Sequence, residues 1–531
     1  MAVNAPSRLA PTALAPTLSF GSGLLRGLAL LATLICAAPA LAVIGLALRP
    51  EANATTIGAA LLRDGAIGTL ALMLTGGGAA IAFGAVAAWL VSLCAFPGRG
   101  LFTWMLVLPM AAPSFVLAYA YSGMTWGGAA PVPVAGFWGA AFVYAIGLYP
   151  YVYLAARAAF MSQSACALEA ARTLGAKAGD VFWRVGLPLA RPGIAAGGAL
   201  ALMEIAADYG AAQHFGLTTL STAIFRAWYA HASPHLALQI SAALLIAALF
   251  FLTIERRARG RAAFAGGSTR WRSLPRYDLN PAARWAASLF CLALVALGAL
   301  LPLGWLARLA VLHGNISDLA RPFANSVLLA GAGALIALAL ASIVAAAARK
   351  GGALGQASLL AAGAGYAAPG AVIAMGALAV FGFAREAGFV GGLGAGLALT
   401  ALLWTYAARF AAAGVQPIDA GLSRLSKGVD ASARVLGASV WRRLLRIDLP
   451  IAAPSLVASA LILFVEILKE LPATLILRPF DFDTLAVQAY AYASDERLLE
   501  AAAPSLMIFV AGLAPILVLS SGIARARAGA R

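Results

Sequence analysis

Four carboxylates recur in two matched pairs. Glu204 and Asp208 stand four residues apart, and Glu466 and Glu470 repeat that spacing 262 positions later. Residues four apart on a helix share a face, so each pair reads as a short acidic ladder. Both ladders lie in apolar runs, where an ionisable side chain is costly and marks a functional position. Counted from Pro192, Glu204 is expected near the middle of its run. Carboxylate oxygens suit hard cations, so two facing ladders can line a path for a divalent or trivalent metal. A structural reading stands beside it. Lys469, three residues after Glu466, can pair with that carboxylate, and Glu204 can hydrogen-bond across a helix bundle.

Other chemistry is sparse. His214, His231 and His235, with Tyr209, Tyr229, Tyr490 and Tyr492, fall in predicted external loops. Tyr and His ligate iron, but aromatic side chains also belong at a membrane interface, and four histidines in all make no metal site certain. Cys36, Cys94, Cys166 and Cys291 form no CxxC pair and read as small core residues. No HExxH motif occurs, and no catalytic residues are assigned. None of the four lysines (Lys177, Lys350, Lys427, Lys469) follows a glycine, so the chain has no P-loop and binds no nucleotide phosphate that way.

The elements that must position these carboxylates are membrane helices. Hydrophobic residues make up 62% of the chain and charged residues 11%, too few charges for the surface of a 531-residue soluble protein. Apolar windows predict an all-α polytopic membrane protein of about twelve transmembrane helices in two six-helix halves. They lie near 25–48, 66–93, 101–123, 135–156, 192–212 and 236–254, then near 285–309, 325–348, 356–382, 388–408, 452–470 and 502–523. The "APALA" run imitates a signal-peptidase site, but the many spans that follow predict an uncleaved first helix.

With both termini cytoplasmic, about 28 of the 37 Lys+Arg residues lie inside. The remainder (Arg49, Arg63, Arg226, Arg308, Arg321, Arg385, Lys469, Arg478 and Arg497) lie outside or at helix ends. The net charge of +17 therefore reports topology and contact with the lipid bilayer, and no nucleic acid is expected as a partner. The predicted organisation is a first half over 1–254, a basic cytoplasmic linker over 255–284 with eight Arg, and a second half over 285–531.

Two cytoplasmic loops, about 157–193 and 409–454, align at the same 262-residue offset. One reads "EAARTLGAKAGDVFWRVGLPLARPG" from Glu169, the other "ASARVLGASVWRRLLRIDLPIAAPS" from Ala431. Arg172, Leu174, Gly175, Pro188 and Pro192 match Arg434, Leu436, Gly437, Pro450 and Pro454 without a gap, which identifies a duplication. Each loop predicts a helix, a turn at Gly175 or Gly437, a short amphipathic helix, and a stop at Pro188 or Pro450 before the next span. Bulky apolar groups beside Arg in the short segment suit a helix docked in another protein's groove. An amphipathic helix lying on the membrane would explain one such loop, but not the shared spacing of two.

This constellation resembles the signature loop of binding-protein-dependent ABC transporter permeases, in which "EAA", a Gly and "LP" recur. Glu169, Ala170, Ala171 and Gly175 match it fully. The second copy departs, with Ala431 in the Glu position and Asp430 one residue earlier. The resemblance implies that each loop couples to a separate ATP-binding subunit, two copies in all. ATP and Mg would be bound by that partner, with no cofactor in this chain and no enzyme activity of its own. The run "KELPATLILRPFDFDTLAVQAYAYASDERLLEAAAPS", with "PMAAPSFVLAYAY" and "GYAAPGAVIAMG", resembles fused two-half ferric-iron permeases of the Fbp/Sfu type. It implies a bacterial inner-membrane subunit served by a periplasmic substrate-binding protein. Thiamine and phosphonate-type permeases share the architecture, and a proton- or sodium-coupled secondary transporter would also use buried carboxylates.

Overall fold

The computed structural model describes residues 19–48, 56–128, 133–161, 178–265, 277–314, 316–350, 352–388, 394–422, 432, 435–437, 442, 446–447 and 449–528. Among them nine helices are long and apolar enough to cross a membrane. Two further spans are helix pairs broken by sharp bends, Arg99–Ala111 with Ser114–Trp126 at 91° and Gly352–Ala367 with Gly370–Glu386 at 113°. A last apolar helix begins at Leu498. Each of the twelve sequence windows thus has its counterpart, and the chain is a multi-pass membrane protein.

The bends come from matching prolines. Pro113 and Pro369 each stand just before the second helix of a broken pair, both with extended backbone (ψ 149° and 148°). Proline removes the N–H that would continue the first helix and disfavours helical backbone in the residue before it.

The segments expected on the cytoplasmic side differ from expectation. Pro188 does not stop a helix. Ala178–Val181 runs through a wide π turn, Phe182–Gly186, straight into Leu187–Ala207, with Pro192 inside that helix. The wide turn pairs the Leu187 N–H with the Phe182 carbonyl five residues back. That register absorbs the missing donor of Pro188 without breaking the rod. Pro450 stands at the start of a helix, Leu449–Leu468, with Pro454 inside it, and most of the segment before it lies outside the described residues. The linker folds back at Tyr277–Asp278, which pairs in parallel with Cys94–Ala95. Tyr277 stacks on Trp89 at 5.9 Å, and Phe182 packs on the same indole at 5.0 Å.

The halves of the sequence are not the halves of the packing. The first helix, Ser19–Ala47, lies chiefly against 320–350, 352–367 and 370–386 of the second half. In exchange, the helix running through Pro281–His313 packs on Ser114–Trp126 and Gly136–Met161 of the first half as well as on the last helix of its own half. Both exchanged helices are secured by the same device. Pro39 cannot donate to the Ile35 carbonyl, and Trp404 Nε1 of the second half donates to it at 2.9 Å. In the π turn Ala296–Leu300 the partner of the Leu297 carbonyl would be residue 302, which is proline, and the Tyr121 hydroxyl of the first half donates instead at 2.6 Å. A carbonyl freed by proline in an apolar medium needs a donor, and each half supplies the other's. A second polar contact, Thr33 Oγ1 to Ser358 Oγ at 2.9 Å, fixes the register of the first helix.

Candidate functional site: a charged cavity between the halves

The helices that carry the carboxylates, Leu187–Ala207 and Leu449–Leu468, end immediately after Glu204 and Glu466. Glu204 therefore sits in the last turn of its helix rather than near its middle. Neither pair forms a continuous ladder on one helix, because Asp208 and Glu470 lie beyond the break.

The break has a local cause. Each of these side chains accepts hydrogen bonds from the backbone at the start of the next short helix, which draws the chain out of the preceding one. Asp208 accepts from the N–H of Ala211 at 2.8 Å and of Ala212 at 3.3 Å, at the start of Gly210–His214. Glu470 accepts from the N–H of Ala473 at 3.1 Å and of Thr474 at 3.2 Å, at the start of Pro472–Leu477. Tyr144 and Tyr406, also 262 positions apart, back the two turns. The Tyr144 hydroxyl donates to Asp208 at 3.1 Å, and the Tyr406 hydroxyl meets Thr474 Oγ1 at 2.6 Å.

All four carboxylates line one cavity of about 100 Å³ between the halves, together with Arg409 and Lys469. The cavity breaks its own symmetry. At the 262-residue offset Arg409 replaces Gly147 and Lys469 replaces Ala207, so both cations belong to the second half. They pair within it, Arg409 to Glu470 at 2.6 Å and Lys469 to Glu466 at 2.7 Å. Asp208 is satisfied by amides and Tyr144. Glu204 faces the cavity with no hydrogen bond or ion pair to any described residue.

A belt of aromatic side chains extends from Tyr209, which lines the cavity. The Tyr209 and Tyr490 hydroxyls meet across the halves at 2.7 Å, Tyr209 stacks on Phe225 at 3.7 Å, and the Tyr229 hydroxyl donates to the Leu475 carbonyl at 3.0 Å. His214 is tied to Ser122 at 2.8 Å, and burial pushes its imidazole down to about 4. His235 meets Gln239, His231 is exposed, and Tyr492 lies under the Arg497 guanidinium. Among the described residues no group of three or more His, Cys, Asp or Glu side chains is arranged to hold a metal ion.

Sequence reasoning passed over Arg409, Tyr144 and Tyr406. Arg409 carried a signal of its own, as a single charge inside the apolar run from Ala401 to Val415. Of the predicted docking residues, Glu169, Ala170, Ala171, Gly175 and Asp430 lie outside the described residues, while Pro188 and Pro450 are placed in the membrane helices. Gly437 has φ +71°, a conformation that glycine adopts without strain, and Val435 and Leu436 beside it are exposed.

With this geometry in place, similarity to known proteins is informative. A profile of the binding-protein-dependent transport system inner membrane component family matches residues 80–256 and again 337–526. The chain is 24% identical over 470 residues to the Fe(3+)-transport system permease protein FbpB 2 of Haemophilus influenzae, covering 85% of this chain and 88% of that one. Shorter matches reach the molybdenum transport system permease protein ModB of Escherichia coli K12, 34% identical over 142 residues, 24% of this chain and 61% of that one. The sulfate transport system permease protein CysT of Synechococcus elongatus is 34% identical over 115 residues, 20% of this chain and 41% of that one. Both family matches begin after the exchanged first helix of their half.

Proposed function

This chain belongs to the binding-protein-dependent transport system inner membrane component family, and on that premise we propose that its cargo is ferric iron. A periplasmic binding protein delivers the ion, and separate ATPase subunits docked at the two cytoplasmic loops drive the cycle. The observation that carries this reading is the charge of the central cavity: four carboxylates against two cations, with Glu204 unpaired. A path for molybdate or sulfate needs the opposite balance, because an oxyanion would meet a bare carboxylate where it must pass. Hard trivalent cations are the ions that clustered carboxylate oxygens attract most strongly. The double-length relative with a ferric substrate supports the same choice.

The test is uptake into proteoliposomes carrying the complete transporter with its ATPase and binding protein. Glu204→Gln with Glu466→Gln keeps the shape of both side chains while removing their charge. Ferric uptake is expected to fall at least about tenfold, with ATP hydrolysis retained. Undiminished ferric uptake in the double variant removes the acidic path. Uptake of molybdate, sulfate or thiamine by the unaltered transporter, without ferric uptake, overturns the substrate.

The aromatic belt gives a second expectation. Opening the cavity on that side must break the hydrogen bond between Tyr209 and Tyr490, which joins the halves. Tyr490→Phe removes about 1 kcal/mol from the closed form, a shift of about fivefold in its population. Substrate-independent ATPase activity of the assembled transporter should rise severalfold. Activity equal to that of the unaltered protein would show that this bond does not hold the closed state.

A further inference from the structure

Lys469 occupies a singular place. Its ammonium lines the central cavity, binds Glu466 at 2.7 Å, and has only Ala207 as its counterpart in the first half. Glu204, the counterpart of Glu466, has no cation of its own half beside it; it opens onto the same cavity and feels Lys469 and Arg409 only across it. The other cation there, Arg409, is paired with a carboxylate that backbone amides hold in place, and leaving it would strand two nearly buried charges. Lys469 has no such constraint. It lies at the very end of its helix, on a flexible four-carbon stem, and makes one bond to one carboxylate.

We propose that the Lys469 ammonium is the resident occupant of a cation site formed by Glu466 and Glu204, and that the travelling metal ion must displace it. This inference rests on the cation-path reading above and adds the residue that sets its selectivity. A tethered ammonium competes at an effective concentration of about millimolar or more, whatever the ions outside. An incoming ion therefore gains the site only by binding carboxylates much more strongly than an ammonium does. Coulomb attraction at a given distance scales with charge, so a trivalent ion gains about three times what the ammonium gives up, and a monovalent ion gains nothing. Divalent ions fall between; every ion pays for dehydration and that cost rises with charge, so the trivalent ion gains the site because carboxylate oxygens replace its water oxygens. Lys469 thus acts as plug and filter at once: it neutralises Glu466 when no cargo is present and yields only to a highly charged one. Its first-half counterpart, Ala207, is small and lines the same cavity as Glu204, so no second cation occupies that side.

The experiment is ATP-driven entry of Mn2+ into proteoliposomes holding the complete transporter, measured beside ferric uptake. Lys469→Gln should raise the ratio of Mn2+ entry to ferric uptake at least about tenfold, and Lys469→Arg should keep the ratio of the unaltered protein. An unchanged ratio in a Lys469→Gln transporter that still takes up ferric iron overturns the inference. So does loss of ferric uptake in Lys469→Gln that is restored by adding Glu466→Gln, because Lys469 would then only neutralise its neighbour. If the unaltered transporter takes up no ferric iron, the cargo reading fails instead, a result distinct from both. A second measurement needs no variant. Acetylation of Lys469, read by mass spectrometry among the chain's four lysines, should increase severalfold during ferric turnover. Equal labelling with and without cargo overturns displacement.

Discussion

Replacing Glu470 by Ala is expected to cost about 3–5 kcal/mol of stability, enough to deplete assembled protein from the membrane. Glu470 is the most heavily engaged polar side chain of the cavity. It binds the Arg409 guanidinium, two backbone amides and the Thr474 hydroxyl, and its side chain is 2% exposed. Truncation leaves the Arg409 charge, itself 14% exposed, without a partner, and this uncompensated charge accounts for most of the penalty. The opened start of Pro472–Leu477 adds to it, since two amide donors lose their acceptor. Glu470→Gln should be only slightly milder, because the amide oxygen still accepts from Ala473 and Thr474 but the Arg409 charge is stranded all the same. The double variant Arg409→Met with Glu470→Gln should recover much of the loss by removing the stranded charge. Thermal unfolding of purified protein in detergent checks the series. An Ala variant as stable as the unaltered protein would mean that water reaches Arg409 and solvates it. Asp208→Ala, with no cation to strand, should cost less than Glu470→Ala, which makes the asymmetry of the cavity measurable.

The sequence made much of this site legible, and its gaps have physical reasons. The constant offset of 262 placed Glu204 opposite Glu466 and Asp208 opposite Glu470, and all four do line one cavity. What spacing could not show was the helix break within each pair. The charges at the two breaks are Asp208, Lys469 and Glu470, themselves members of the acidic pattern or beside it, so a window takes them as part of the span rather than as its end. The break depends on a side chain competing with its own backbone, which becomes visible only through hydrogen bonds such as that from Ala211 to Asp208. Pro188 misled for a related reason. Proline is read as a stop because it removes one i to i−4 bond, yet the π turn Phe182–Gly186 shifts the register and keeps the helix whole. The exchange of first helices was hidden more deeply. Repeats reveal which segments are equivalent, but an identical pattern arises whether Ser19–Ala47 packs on its own half or on the other. The tell-tale residues, Pro39 with Trp404 and Pro302 with Tyr121, lie more than a hundred positions apart.

That exchange is most exposed to test at Gly376. A Cβ placed there would lie 2.1 Å from the Pro39 carbonyl oxygen and 2.6 Å from its carbon. Both obstacles are backbone, so no rotamer change relieves the clash, and the first helix must move off Gly370–Glu386 to admit even a methyl group. Gly376→Val should therefore cost more than the 1–3 kcal/mol of an ordinary overpacked core position. Separation would also carry the Ile35 carbonyl away from Trp404 Nε1 and strand it in an apolar medium, adding about 1–3 kcal/mol. The effect should be specific to the exchange. A cysteine pair replacing Thr33 and Ser358, whose hydroxyls meet at 2.9 Å, should crosslink readily in the otherwise unaltered protein and poorly in the Gly376→Val background. Efficient crosslinking in both would mean that the helix tolerates the added bulk in place, and that small-residue contact is not what holds the first helix against the second half.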